Sequence, residues 1–250
     1  MTSAFLAATV LVTLYSLWIR RDTWWSRWEV GISLSLALEA AGLVLMSPWA
    51  SQELGPSIHR ATGVWNLQQL AGHICFVIAI AANIYHVLPR LADINRVRPL
   101  FRRQVQWPLT VGVVAMVAVF VTADAGYRRD GFSASGDGPL VDVYWVLLCG
   151  LLIYLSGYAT RVLLVVRSDP RARETVELYT ASAAFALAAC VAQLSTTWTH
   201  SDVNSLVWMC TCLGVAIFAI GAARSWRAKA AWFTAADHPM RETNPPQPMP

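Results

Sequence analysis

The chain has 250 residues, of which 56% are hydrophobic and only 14% charged, against about 45–50% and about 25% in soluble domains. Its 19 Lys and Arg and 15 Asp and Glu come in bursts, and the runs between bursts approach the ~20 apolar residues that cross a bilayer. This excludes a soluble globular domain, a disordered chain and a disulfide-stapled secreted domain, and it predicts an all-α polytopic transmembrane helical bundle.

The first apolar run covers residues 4–19 and is closed by Arg20, Arg21 and Asp22. No basic residue precedes it, so it lacks the start of a cleavable signal peptide and suits a span entered with the N-terminus outside. The second run covers 30–48. The stretch up to residue 66 reads as an outer loop, and the third run covers 67–88. The fourth, 108–123, is rich in Val and Ala and close to the ~17-residue lower limit for spanning. The fifth, 141–166, is longer than the hydrocarbon core requires, so its last turns project from it. An outer loop rich in Gly and Ser separates the fourth and fifth runs. The sixth, 178–198, is alanine-rich and mildly apolar, which suits a helix shielded by neighbours. The seventh covers 206–223. Residues 1–229 thus read as one seven-helix transmembrane domain, and 230–250 as a disordered cytoplasmic tail.

The basic residues number the spans independently. They alternate between loops, sixteen on one side and three on the other, which places the N-terminus outside and the C-terminus in the cytoplasm by the positive-inside rule. The richest cytoplasmic loop carries Arg90, Arg96, Arg98, Arg102 and Arg103. Such flanking charge is topological and predicts no nucleic-acid partner. Trp18, Trp24, Trp25, Trp28, Trp49, Trp107, Trp198 and Trp226 sit at span ends, as interfacial aromatic residues do. Trp145 and Trp208 lie about one turn inside. All five cysteines fall inside apolar runs, with no C-x-x-C pair, and read as small apolar residues.

Polar residues inside the spans are the informative exceptions. Glu39 sits mid-span, where a carboxylate costs about 2.5–3.5 kcal/mol. It must face the bundle, with Ser35 one turn away, either as a proton or cation site or as a hydrogen-bonded helix tie. In the third span Gly72, Cys75, Ala79, Asn83 and His86 recur at helical spacing on one inward face. His73 lies nearer the outer side, and Gln193 is the polar residue of the sixth span. His73 and His86 stand 13 residues apart, a spacing that two stacked haems use, but no other span offers an axial partner. A metal site from His59, His73, His200 and Asp202 has no spacing signature. No nucleotide-binding, zinc-protease or nucleophile-elbow motif is present, so neither a cofactor nor a catalytic residue is expected.

The entry to the third span, Gly63, Asn66, Leu67, Leu70 and His73, with Arg21 and Asp22 after the first span, forms a Gly-x-x-Asn-Leu…His pattern. It resembles a family of actinobacterial seven-span integral membrane proteins labelled as candidate transporters. The resemblance covers roughly residues 1–229 and implies a seven-span fold and a transporter role without naming a substrate.

The expected function is therefore a non-enzymatic, transporter- or sensor-like module in the plasma membrane, with Glu39 and the inward face of the third span at its centre. The lipid bilayer is its first partner, with a protein partner or a second copy beside it. The alternative is an interaction or effector protein, a partner-binding subunit or a phage-exclusion type, acting through its arginine-rich loops. A metal- or haem-binding membrane enzyme comes third.

Overall fold

A chain without water to bond its amides satisfies them within helices. The computed structural model describes residues 2–26, 29–91, 94–123, 138–170, 172–199 and 203–237, with residues 2, 90, 94, 197–199 and 232–237 described by backbone alone. Among them there are nine α-helices and no strand: α1 (Thr2–Ile19), α2 (Val30–Leu45), α3 (Pro48–Thr62), α4 (Leu67–Val87), α5 (Ile94–Phe101), α6 (Trp107–Thr122), α7 (Pro139–Val166), α8 (Arg173–Thr199) and α9 (Asn204–Asp237). Five stretches are long and apolar enough to cross a membrane: Leu67–Val87, Asn95–Thr122, Pro139–Val166, Arg173–Thr196 and Asn204–Ala231. α2 and α3 form a sixth candidate, bent by 79° at their junction, and α1 is a shorter apolar helix.

Six helices close a ring in the order α1, α2, α4, α7, α8, α9 and back to α1, and α6 packs outside it on α7 and α4. α1 is polar on its inward side. Thr9, Thr13, Ser16 and Arg20 are buried, while Leu11, Leu14 and Trp18 face outward. The Ser16 hydroxyl donates to the Ala219 carbonyl of α9 at 2.9 Å. α2 and α4 meet through small residues, which let backbones approach. A Cβ on Gly42 would lie 3.1 Å from the Gly72 carbonyl oxygen, and one on Gly31 would lie 2.9 Å from the His86 Cβ. Midway, the Ser35 hydroxyl donates to the Ala79 carbonyl at 2.8 Å.

Several sequence expectations change. The second run does not continue straight to Pro48, and the outer loop after it is largely helical. Ser47 accepts from the Ala50 N–H at 3.1 Å and Pro48 occupies the first turn, a helix start that launches α3 across the end of the bundle. α3 stops at Gly63 (φ 74°) and α4 starts at Asn66 (φ 60°). Gly63 and Asn66 of the entry motif are therefore the two residues that turn the chain, while Leu70 is buried behind them and Leu67 packs against the main core. The short fourth run is extended by α5 and a π-helical turn, Arg102–Gln106, which join it into 28 residues of helix from Asn95 to Thr122. The basic loop is thus helical. Arg96 and Arg98 lie on α5 and Arg102 and Arg103 on the π turn, all exposed, with Val97 and Val105 buried beneath them. Arg90 ends a 3₁₀ turn, and its side chain lies outside the described residues. The tail predicted to be disordered from 230 is helical through Asp237; residues 238–250 lie outside the described residues.

Candidate functional site

The ring encloses a cavity of about 410 Å³ walled by α2, α4, α7, α8 and α9. Along α7 its lining runs from Val141 to Leu163, about 33 Å of helix at about 1.5 Å per residue, so it follows most of the bundle's length. Its width has a local cause. α8 presents Ser182, Ala183, Ala186, Ala189 and Cys190 to it, at three- and four-residue steps on one face. Small side chains there leave room that leucines would fill.

Four of the five intramembrane polar candidates meet on this cavity: Glu39 from α2, His73 and Asn83 from α4, and Gln193 from α8. Glu39 is partly exposed, toward the cavity, and its Oε2 is buried without a hydrogen-bond partner. Ser35 does not serve it, because that hydroxyl is spent on Ala79. The Asn83 Oδ1 is likewise buried and without a hydrogen-bond partner. His73 is anchored: its Nδ1 lies 2.8 Å from the Tyr144 hydroxyl of α7, and Trp145 meets its ring edge-on at 5.3 Å. At the α3 end, the Gln69 amide donates to Ser51 at 3.2 Å, and Asp142 and Asn204 join the lining. Trp145 and Trp208 also line the cavity, whereas Trp18, Trp25, Trp49 and Trp107 are exposed.

His86 does not join them. It lies at the other end of α4, against Gly31 and within electrostatic reach of Glu29. There, a second polar assembly holds the bundle together. Arg20 is 1% exposed. Its Nη2 donates to the Glu29 carboxylate at 2.8 Å, its Nη1 to the Ala222 carbonyl at 3.1 Å and its Nε to the Ser33 hydroxyl at 3.4 Å. The Trp226 ring lies 5.8 Å from the guanidinium carbon, and Lys229 pairs with the other Glu29 oxygen. Burial alone would raise the Glu29 carboxyl; Lys229 and Arg20 outweigh it and hold the group below its ordinary value. Sequence reasoning took Arg20 for a topological charge. The clue available was its position four residues after Ser16, on the Thr9–Thr13–Ser16 stripe.

For the metal hypothesis, His59 stacks on Trp65 with centroids 4.0 Å apart and His73 bonds Tyr144, while His200 and Asp202 lie outside the described residues. Among the described residues no three His, Cys, Asp or Glu side chains converge as a ligand set. Compared with family models, with curated proteins and with solved structures, the chain matches none of them.

Proposed function

We propose that this chain is a non-enzymatic plasma-membrane module that binds a solute in its central cavity and carries it across the bilayer. One observation carries the reading: Glu39, His73, Asn83 and Gln193, placed on three helices far apart in sequence, all line one elongated cavity. Intramembrane ionisable groups facing a cavity mark substrate or ion pathways. The resemblance to candidate transporters at the entry to α4 points the same way. In this reading α1, α2, α4, α6, α7, α8 and α9 each cross once. The N-terminus is outside, the C-terminus is cytoplasmic, and α3 lies along the outer surface.

The test is flux. Proteoliposomes carrying a trapped pH-sensitive dye are challenged with a library of cationic, zwitterionic, neutral and anionic solutes, with solute uptake measured in parallel. The wild type moves a subset of them, and Glu39→Gln loses most of that flux, as removal of a charge on the pathway should. Failure of every solute to move, or unchanged flux in Glu39→Gln, removes the transport reading.

A second reading rests on the exposed arginines of α5 and the π turn. Arg96, Arg98, Arg102 and Arg103 are exposed over the buried Val97 and Val105, a geometry that suits a protein partner or anionic headgroups. Reversing those four charges then abolishes the cellular phenotype while Glu39→Gln leaves it intact; the transport reading expects the opposite pattern.

A further inference from the structure

We propose that the cavity's ligand is an amphipathic organic monocation: an ammonium or similar cationic centre carried on an aromatic or aliphatic body. The inference rests on the cavity reading above and specifies what the cavity accepts.

The charge inventory of the lining points to it. Among the described residues the lining holds two carboxylates, Glu39 and Asp142, and no lysine or arginine. Among the described residues the salt bridges form elsewhere, at the Arg20–Glu29–Lys229 clasp and at the exposed Arg21, Arg173, Arg224 and Arg167. Glu39 has no cationic side chain at hand in a place where a buried charge without a partner is costly. The unmet hydrogen-bonding capacity has one sign as well. The Glu39 Oε2 and the Asn83 Oδ1 are both acceptors without partners, which calls for a donor or a positive charge and repels an anion.

The remaining wall selects the body of the ligand. Phe76, Trp145 and Trp208 present rings to the same space, and aromatic faces attract a cation most strongly when water is excluded. A small hydrated metal ion would leave most of about 410 Å³ unfilled, whereas that volume falls within the range of about 300–1,000 Å³ for sites that hold drug-sized molecules. Thus the carboxylate sets the sign of the ligand, and the rings and the alanine face of α8 set its bulk.

A matched pair of probes decides it. Tetraphenylphosphonium and tetraphenylborate share a shape and differ in sign. Equilibrium dialysis against purified protein in detergent, with empty micelles subtracted, gives saturable binding of the cation at about one per chain and none of the anion. Glu39→Gln weakens cation binding by about tenfold or more, the scale of a lost hydrogen bond to a charged group. Glu39→Asp keeps the charge and stays within a few-fold of the wild type, which separates loss of charge from loss of fold. Equal binding of both ions, binding of neither, or unchanged cation binding in Glu39→Gln overturns the proposal. The two readings also fail separately. Flux confined to neutral or anionic solutes sinks the cation assignment and leaves transport standing. Saturable cation binding without any solute flux sinks transport and leaves the cation site standing.

Discussion

Removing the Arg20 side chain leaves the Glu29 carboxylate, the Ser33 hydroxyl and the Ala222 carbonyl short of a donor in a site that solvent does not reach. Breaking a buried ion pair from one side costs about 3–5 kcal/mol, so Arg20→Ala should lower the unfolding midpoint of the detergent-solubilised protein sharply. Exposed Arg21, which pairs with exposed Asp22 and lies over the Trp18 ring, should tolerate alanine with almost no change. The clasp also has a pH signature. Glu29 holds its proton less tightly folded than unfolded, with the folded value below the ordinary 4.5. Its contribution is complete above that ordinary value and disappears as pH falls through the lower folded one. Melting curves across that acidic window should therefore show a smaller loss for Glu29→Gln than for the wild type; parallel losses would mean that the clasp does not titrate. At the cavity wall, Tyr144→Phe removes the hydroxyl that engages His73 and should cost about 1–3 kcal/mol, the penalty of a buried polar group left unmatched.

Among the elements, α2 and α4 cross closely through small residues. A Cβ on Gly72 would lie 2.6 Å from the Met46 Cγ and 3.1 Å from the Gly42 carbonyl oxygen. Gly42→Leu or Gly72→Leu forces the two helices apart and should cost about 1–3 kcal/mol, together with a loss of ligand binding, because Glu39 and His73 flank the crossing. Gly150→Leu, where an added Cβ meets nothing within 4 Å, should behave as the wild type. A thermal melt of all three checks this. The crossing was partly legible in the sequence. Gly72, Ala79 and Asn83 at helical spacing declared a small, inward face, because lipid gives no reason to place small or polar side chains outward. α3 was not read, although its signals were present. Ser47 before Pro48 is a helix start, but Gly55 and Pro56 within the next turns imitate a loop, and only burial of Ala50 and Gly55 distinguishes the two. Arg20 was misread for a related reason: at a span end an arginine is the ordinary topological marker, and nothing local tells a buried one from a solvated one.

At the scale of the molecule, five helices are long and apolar enough to cross a membrane, the bent α2–α3 pair is a sixth candidate and α1 is a shorter apolar helix. The proposed orientation makes α3 an outer-surface helix and α5 a cytoplasmic one. Ser57→Cys, on the exposed side of α3, should react with a membrane-impermeant maleimide added to intact cells. Arg98→Cys and Arg224→Cys should react only after permeabilisation. Labelling of Arg98→Cys in intact cells would invert or break the proposed topology. Composition and charge parity brought this general plan within reach of the sequence, and Glu39, His73, Asn83 and Gln193 stood out because a polar side chain in a lipid-length run must turn toward protein. That His73 and Gln193 share the central space with Glu39 and Asn83 was not legible. It depends on α8 packing its alanine face opposite α4 and α7, a relation among helices that no single helix encodes.

The bonds from Ser16 to Ala219 and from Arg20 to Ala222 join residues 203 and 202 positions apart. At a synthesis rate of about 5–20 residues per second, roughly 10–40 s pass between the emergence of α1 and that of its partner. Throughout that interval Thr9 and Thr13 bond within their own helix and Glu29 and Ser33 are at hand for Arg20, but the Ser16 hydroxyl and the Arg20 Nη1 lack their α9 carbonyls. The first helix is therefore fully tied into the bundle only once the last one has been made. A chain cut short before α9 would leave that tie unmade, with two polar groups of its first helix short of the acceptors that the finished chain supplies.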